Sequence, residues 1–504
     1  MLAVHDMLDR AARDDPTKIA IISRTASTSY AELDEVSTRI AGALRRRGVE
    51  KGMRVAIYAS KSIQEVAVIF AVAKAGGVLV HINPAFRDEQ LQHVLQETEP
   101  AALFFHPSKA AAIARAIDGG GRPPCLIALS GPAGTRLLPP CETLEALIAT
   151  AGPVANGAAS ENDLAAIIYT SGTTSRAKGI KVTHGILSQS TTVSADVLQN
   201  GPGDRLISLT PFSFDGALSQ LFTATLVNAT LFLQDSQFPK DVIHTLLTQK
   251  ITGFHAVPSF WLMTLERYPA FAEYHFPHLR YLSLIGEVFP EDALFRLKDI
   301  LAQTGFYMMY GTTEAFRSTC LLPEDFTRKK GSAGKPLPGV KIAIVGADGT
   351  PLKPGQTGEI VHSGAFVSPG YWHRDGDATF REDGVHTGDL GRLDEEGYLY
   401  FAGRKDTMIK RLGYQVYPEE IEACLTKLDG VALAAVACAP GCANPLIRAF
   451  ITRQPGSALT ADDVTEHCRR HLPHYMRPDE VVFRVEMPTT GPNKIDRVQL
   501  SRSP

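Results

Sequence analysis

The sequence has no CxxC pair of cysteines, the spacing of a redox dithiol and of many zinc sites. Its seven cysteines are scattered over 504 residues without a CxxC pair, which argues against a structural zinc site and predicts free thiols in a reducing compartment. Long apolar runs are also missing, and residues 1–10 do not join a basic segment to an apolar core. We therefore expect no signal peptide, no membrane partner and a cytoplasmic location.

Neither sign of charge dominates the chain. It has 51 Lys and Arg residues and 54 Asp and Glu residues, a formal net charge of −3, with no long run of like charges. This balance predicts no nucleic-acid partner. The hydrophobic content of 44% and the charged content of 21% are typical of globular proteins. Because one hydrophobic core stops growing at roughly 250 to 300 residues, we expect at least two domains.

Strand-like runs alternate with helical periodicity in the first part of the chain, which predicts an α/β fold with layered parallel sheets. Residues 331–371 are rich in Gly, Pro and β-branched residues and predict a small antiparallel β unit. Strand and helix patterns after residue 430 predict a small α+β domain. The basic, glycine-punctuated segment at 403–414 lies between the two parts. We therefore expect a large domain over 1–403, a hinge at 404–406 and a small mobile domain over 407–504.

A Gly, Ser and Thr run, YTSGTTSRAKG at 169–179, follows the strand-like run at 164–168. Glycines let backbone N–H groups approach anionic oxygens, hydroxyls add donors, and Lys178 adds a positive charge, so the loop is a candidate phosphate cradle. It is not a Walker A loop, because Ala177 and Gly179 flank the lysine. A flexible surface loop would have the same composition, so this stretch alone does not distinguish a phosphate site from a surface loop.

Two further motifs carry groups suited to a nucleotide. In YGTTEA at 310–315, Tyr310 can stack on a base, a threonine can donate to a phosphate, and Glu314 can hold Mg²⁺ through oxygen. The alternative is a strand followed by a capped helix. In HTGDL at 386–390, Asp389 can accept both hydroxyls of a ribose, and an Asx turn is the alternative.

Asp215 stands in an apolar and aromatic stretch, PFSFDG at 211–216. It is either a helix N-cap or a carboxylate in an apolar pocket. In a pocket its charge needs a cationic partner, which the ammonium group of a substrate would supply. The residues alone favour the cap.

The order, types and spacing of these motifs resemble the AMP-forming adenylating superfamily, which includes acyl-CoA synthetases, amino-acid adenylation domains and luciferases. The resemblance covers 28–497 and is closest to stand-alone amino-acid adenylation enzymes and exosortase-associated AMP-forming ligases. It implies ATP and Mg²⁺ and a two-step reaction. A carboxylate attacks the α-phosphate of ATP to give an acyl-adenylate and pyrophosphate, and a thiol then displaces AMP to give a thioester.

The resemblance also implies roles for the motif residues. Tyr310 would stack on adenine, Thr313 would contact the α-phosphate, Glu314 would bind Mg²⁺, and Asp389 and Arg404 would hold the ribose. The β- and γ-phosphates would be held by Thr170, Ser171, Gly172, Thr173, Thr174 and Lys178.

The small domain would contribute two further roles by the same resemblance. Lys494, in GPNKIDR at 491–497, is similar to the catalytic lysine that bridges the carboxylate and the α-phosphate. Asp406 matches the hinge, about which the small domain would rotate to withdraw Lys494 and present the loop at 410–414 to the thiol. Three positions depart from the superfamily pattern, Ser175, Ala177 and Ile285, without removing a charged or catalytic group.

The pair Phe214 and Asp215 resembles the adenylation-domain position whose aspartate binds the amino group of the substrate. This raises the pocket interpretation of Asp215 above the cap and makes an amino acid the expected acid, in a pocket lined by Phe214 and Phe316. Since no phosphopantetheine serine motif occurs, the expected acceptor is a separate carrier protein, and the expected state is a monomer or homodimer. The alternatives are an acyl- or aryl-CoA ligase that uses free coenzyme A, and a nucleotide-binding scaffold without activity.

Overall fold

The computed structural model describes residues 3–117, 124–130, 141–150, 159–170, 177–286, 289, 291–405, 409–416, 418–438, 445–488 and 497–501. The predicted α/β class is confirmed, with a large amino-terminal part and a small carboxy-terminal part. Within these ranges, no helix has both the length and the apolar composition to cross a membrane.

Two large sheets form the amino-terminal part, and most of their strands are parallel. The first has seven strands, in the spatial order Glu142–Thr143, Cys125–Ala128, Ala102–Phe105, Arg54–Tyr58, Val78–His81, Leu164–Thr170 and Lys178–Thr183. The second has nine strands, in the order Lys335–Pro336, Thr319–Leu321, Gly305–Tyr310, Tyr281–Leu284, Gly253–Ala256, Arg205–Ser208, Thr230–Leu233, Ile19–Ile22 and Ser27–Ser29. The strand predicted at 164–168 is the sixth strand of the first sheet.

Helices cover both sheets and connect their parallel strands, as parallel sheets require. They are Val4–Asp14, Tyr30–Arg46, Ile63–Ala75, Asp88–Thr98, Ala110–Ile117, Leu144–Ala149, His184–Val197, Asp215–Leu226, Pro239–Thr248, Pro258–Arg267 and Glu291–Ile300. Short 3₁₀ turns lie at Pro107–Lys109 and Pro269–Glu273. The helix Ile63–Ala75 is buried from Glu65 to Ala75, because it lies in the core that the two sheets share.

Local signals explain where several helices begin. Ser29 caps the helix Tyr30–Arg46 by accepting from the Glu32 backbone N–H, and the Glu32 side chain accepts from the Ser29 backbone N–H. Thr460 and Asp463 make the same reciprocal pair at the helix Ala461–His471. Such a capping box satisfies donors that have no partner inside the helix.

An antiparallel β unit is present, but it extends well past the predicted end at residue 371. It is a five-stranded sheet of Val340–Val345, Gly358–Gly364, Phe380–Arg381, Gly384–Leu393 and Leu399–Arg404. The small part contains the hairpin Ile409–Arg411 and Tyr414–Val416 and the sheet Val431–Cys438, Ile447–Arg453 and Glu480–Arg484. Its helices are Pro418–Leu425, Ala461–His471 and Arg497–Ser501, with a 3₁₀ turn at His474–Met476. It has a hydrophobic core largely of its own.

Candidate active site

Tyr310 and Asp389 meet between the nine-stranded sheet and the five-stranded sheet. Tyr310 ends the strand Gly305–Tyr310, and its hydroxyl donates a hydrogen bond of 2.8 Å to Asp389 Oδ2. Both residues are buried. Asp389 pairs with Arg404 through the backbone of neighbouring strands. The residues predicted to hold the base and the ribose are therefore in direct contact or on paired strands.

The chain reverses direction directly after Tyr310. Residues 311–318 form a turn, closed by a hydrogen bond of 2.9 Å from the Ser318 N–H to the Tyr310 carbonyl, and lead into the antiparallel strand Thr319–Leu321. The alternative of a strand followed by a capped helix is therefore wrong. A Cβ at Gly311 would lie 2.2 Å from the Phe316 carbonyl oxygen, so the reversal requires glycine. Phe316 itself adopts a φ of 50°, a rare conformation for a bulky residue.

A cavity of about 130 Å³ lies beside this turn and is lined by Thr170, Phe214, Asp215, Thr313 and Phe316 among others. Asp215 is the first residue of the helix Asp215–Leu226, whose N-cap is Phe214. The cap interpretation of Asp215 is therefore wrong, and its carboxylate lines the cavity while accepting from the Gly216 N–H at 2.7 Å. Burial raises the pKa of Asp215, and the positive charge of Arg317 opposes that rise.

Arg317 and His255 line the same cavity, and neither was predicted as a site residue. Arg317 follows Phe316 in the turn, and no motif in the sequence marked it as a binding residue. His255 Nδ1 shares a hydrogen bond of 2.7 Å with the Ser283 hydroxyl. Burial, with a smaller contribution from Arg317, lowers the pKa of His255 to about 3, so this imidazole is neutral at pH 7.

A second cavity, of about 170 Å³, is lined by Tyr310, Met308 and Phe401 among others. Gly286 and Gly311 line both cavities, so the two adjoin at these glycines. At this junction the buried Thr312 hydroxyl has no hydrogen-bond partner among the described residues. The largely apolar lining of the second cavity, with Asp389 in contact with Tyr310, is chemically suited to a nucleoside.

Glu314 and Lys178 are joined through a residue that the sequence did not predict. The Tyr371 hydroxyl donates a hydrogen bond of 2.8 Å to Glu314 Oε1, and Lys178 Nζ lies 4.7 Å from the centroid of the Tyr371 ring. Lys178 Nζ also lies 3.4 Å from Asp377 Oδ2. In the described part of the chain no donor reaches Glu314 Oε2, so a carboxylate oxygen suited to Mg²⁺ remains available.

Several predicted residues lie outside the described ranges, namely Ser171, Gly172, Thr173, Thr174, Asp406 and Lys494. For Arg404 only the backbone is described. Of the three departures from the superfamily pattern, Ser175 lies outside, Ile285 lines the first cavity, and the carbonyl of Ala177 is hydrogen-bonded to His93 Nε2 at 2.9 Å.

The hairpin of the small part forms one wall of the first cavity. Gly413 has a φ of +79°, and a Cβ there would lie 2.9 Å from Val257 Cγ1. The Tyr414 ring lies 5.1 Å from the Phe214 ring and stacks on Tyr475 at 3.5 Å. The loop predicted to approach the thiol step therefore contacts the predicted substrate pocket.

Comparison with known proteins identifies similar sequences and folds over nearly the whole chain. The sequence profile of the AMP-binding enzyme family matches residues 8–372, and that of the AMP-binding enzyme C-terminal domain matches residues 420–494. An L-proline–[L-prolyl-carrier protein] ligase from Streptomyces coelicolor is 32% identical over 489 residues, which cover 93% of this chain and 90% of that protein.

Two solved structures of one enzyme differ in their similarity to this chain. Both are the o-succinylbenzoate CoA synthetase of Bacillus subtilis, 26% identical, with 99% of this chain and 98% of that chain covered. A double mutant bound to the product analogue OSB-NCoA gives a TM-score of 0.86. The complex with the acyl-adenylate intermediate OSB-AMP gives 0.71.

Proposed function

Because the chain belongs to the AMP-binding enzyme family, we propose that this AMP-forming acid–thiol ligase activates an amino acid and transfers it to the pantetheine thiol of a separate carrier protein. The observation that carries the proposal is the Asp215 carboxylate in the wall of the first cavity. Burial makes its charged form unfavourable and raises its pKa. A substrate ammonium beside it would offset that cost. The similarity to an L-proline–[L-prolyl-carrier protein] ligase supports the same acid class and acceptor.

In the first step, the amino acid in the first cavity reacts with ATP, whose nucleoside lies in the second cavity. A carboxylate oxygen of the amino acid attacks the α-phosphorus of ATP at the junction near Gly311, the bond to the β-phosphate oxygen breaks, and pyrophosphate leaves. Tyr310 and Asp389 hold the nucleoside, Thr313 contacts the α-phosphate, and Lys178 holds the outgoing phosphates. Mg²⁺ held by Glu314 would neutralise phosphate charge. Lys494 is the proposed cation between the two reacting anions.

The second step uses the small domain. The thiol sulfur, deprotonated, attacks the adenylate carbonyl, and AMP leaves with the electron pair of the broken bond. The contact of Gly413 and Tyr414 with the first cavity suits this step. The higher TM-score to the enzyme with the coenzyme A product analogue, compared with the same enzyme with its adenylate, supports the same assignment. We propose that rotation about Asp406 alternates the hairpin and Lys494 at the site.

The test is pyrophosphate release with ATP and Mg²⁺ from matched amino and desamino acids, for wild type, Asp215→Asn and Asp241→Asn. Asp241 is also in the first turn of a helix, Pro239–Thr248, away from the cavity, and is the control. We expect the wild type and Asp241→Asn to prefer the amino form by about 10-fold to 100-fold, and Asp215→Asn to lose that preference.

Equal use of desamino acids by the wild type would contradict the amino-acid proposal. The acyl- or aryl-CoA ligase would then take its place, which the similarity to a CoA synthetase favours. The acceptor is tested separately by thioester formation with a phosphopantetheinylated carrier protein and with free coenzyme A. ATP binding without pyrophosphate release for any acid would support the scaffold.

A further inference from the structure

Arg317 carries a buried positive charge that the protein itself leaves nearly without partners. The residue is 6% exposed and lines the first cavity with Asp215. In the described part of the chain its guanidinium makes one side-chain hydrogen bond, from Nη1 to Met309 Sδ at 3.4 Å, and no carboxylate lies within 4.0 Å of it. A guanidinium has five N–H donors, and a thioether sulfur is a weak acceptor. Most of its donors therefore have no strong acceptor among the described residues.

Arg280 serves for comparison, because its guanidinium has strong hydrogen-bond acceptors within the protein. Its Nη1 donates to the Leu198 carbonyl at 2.7 Å, and its Nη2 donates to Asp204 Oδ2 at 2.8 Å. Arg317 has no comparable partners although it is more deeply buried. Leaving a charged group buried without strong hydrogen bonds is unfavourable. The arrangement is explained if a ligand supplies the missing acceptor.

Asp215 is the acidic residue whose charge acts most strongly on Arg317. The two charges face one cavity without forming an ion pair within 4.0 Å. His255 in the same wall is neutral at pH 7 and adds no charge. The cavity therefore offers one carboxylate and one guanidinium at separate points. A ligand that carries an ammonium and an oxygen acceptor complements both.

The reacting carboxylate is not the expected partner of Arg317. That carboxylate must face the nucleotide, where Gly286 and Gly311 line both cavities. Arg317 and Asp215 line the first cavity and not the second. The Arg317 backbone lies beside Gly311, where an added Cβ would be 3.0 Å from the Arg317 Cα. Its guanidinium, however, extends back along the neighbouring strand to Met309 Sδ, away from that edge. Arg317 is therefore suited to a second group, on the side chain of the acid.

We propose that the amino acid activated here carries a side-chain carboxylate or carboxamide, and that Arg317 binds its oxygen while Asp215 binds the ammonium. This inference rests on the proposed function, because it concerns the acid of the same site. Arginine matches a carboxylate with two parallel N–H donors, which gives orientation as well as affinity.

The experiment compares two matched trios, glutamate with glutamine and norvaline, and aspartate with asparagine and 2-aminobutyrate. Binding is measured by calorimetry and activation by pyrophosphate release, for wild type, Arg317→Met and Arg317→Lys. We expect the wild type to prefer an oxygen-bearing member over its apolar partner by about 100-fold or more in kcat/KM. Arg317→Met should abolish that preference and improve use of the apolar partner, whereas Arg317→Lys should retain part of it.

Two results would overturn the inference. One is a wild type that binds and activates the apolar acids with the same efficiency as the oxygen-bearing acids, or that binds none of the six acids. The other is an equal loss for all members in Arg317→Met with a folded protein by circular dichroism, since Arg317 would then act on the reacting carboxylate or on structure. Oxygen-selective binding without pyrophosphate release would support the assignment of Arg317 and contradict the proposed activity, so the two failures are distinguishable.

Discussion

The hydroxyl of Tyr310 donates a hydrogen bond of 2.8 Å to the carboxylate of Asp389, a residue 79 positions further along the chain. The bond joins the last residue of a strand in the nine-stranded sheet to a strand of the five-stranded sheet. It fixes the orientation of the Tyr310 ring and occupies one lone-pair region of the carboxylate. A base stacked on that ring and a ribose bound to that carboxylate would therefore be held in a fixed position relative to each other.

We predict that Tyr310→Phe weakens ATP use modestly and Tyr310→Ala strongly. Phenylalanine keeps the ring but loses the bond to Asp389, so we expect the KM for ATP to rise about 3-fold to 10-fold. Alanine also loses the stacking surface, and we expect a further rise of about 10-fold. Pyrophosphate release at varied ATP measures both. Tyr307→Phe is the control, because Tyr307 lies on the same strand and packs against Tyr281; an equal effect there would contradict the prediction.

We predict that Tyr371→Phe changes the dependence on Mg²⁺. The Tyr371 hydroxyl donates to Glu314 Oε1, and its removal leaves the carboxylate free to rotate away from the position that suits the metal. We expect the Mg²⁺ concentration for half-maximal pyrophosphate release to rise about 10-fold. The control is Tyr398→Phe, whose hydroxyl also donates to a carboxylate, that of Asp325, and neither residue lines either cavity. An unchanged Mg²⁺ dependence in Tyr371→Phe would count against a positioning role.

The parts of the fold that local chemistry dictates could be predicted from the sequence. The helix after Ser29 begins where Ser29 and Glu32 can cap each other, and the strand at 164–168 is an apolar run bounded by polar residues. Tyr310 and Asp389 stood out because the order and spacing of their motifs resemble those of the adenylating superfamily; taken alone, each motif also had a structural interpretation. Their contact across 79 positions is a property of sheet pairing, which no local pattern contains.

The first cavity was only partly predictable, because its lining depends on a chain reversal. Gly311 and the left-handed Phe316 create the turn at 311–318, whereas the strand pattern there was also consistent with a following helix. The turn brings Arg317 into the cavity. His255 and Tyr371 come from other segments and meet the site only in the folded chain, so neither had a signal of its own.

We predict that stability falls on acidification partly through His184. Burial is the main cause that lowers the pKa of His184 to about 4, below the usual value of about 6.5 in an unfolded chain. Between these values the unfolded state binds a proton that the folded state does not, so the free energy of unfolding decreases as pH falls from 7 toward 4. We expect a contribution on the order of 3 kcal/mol across that window.

Urea unfolding at several pH values measures this contribution. His184→Gln should have a shallower decrease of unfolding free energy with falling pH than the wild type. His244→Gln is the matched control because His244 is exposed on the helix Pro239–Thr248. Parallel pH profiles for wild type and His184→Gln would show that His184 does not carry the effect.

We predict that Gly413→Ala separates the two half-reactions. Gly413 has a φ of +79°, and an added Cβ would lie 2.9 Å from Val257 Cγ1 in the large domain. Contacts this short force the neighbour to move, so the hairpin cannot approach the first cavity as closely. Since the proposed adenylation step uses Lys494 and not the hairpin, pyrophosphate release should stay within about 2-fold of wild type. Thioester formation should fall about 10-fold or more, on the scale of a misplacement near 1 Å at a reacting centre.

The control for Gly413→Ala separates backbone strain from the clash with Val257. Gly456 has the same φ of +79° in the same domain, and a Cβ there would meet nothing within 4 Å. Gly456→Ala therefore carries the same cost of a left-handed alanine without obstructing the hairpin, and both half-reactions should remain near wild type. A matched loss of thioester formation in Gly456→Ala would assign the effect to domain stability. Loss of both half-reactions in Gly413→Ala alone would mean that adenylation also needs the hairpin against Val257, and would contradict the division of roles between the hairpin and Lys494.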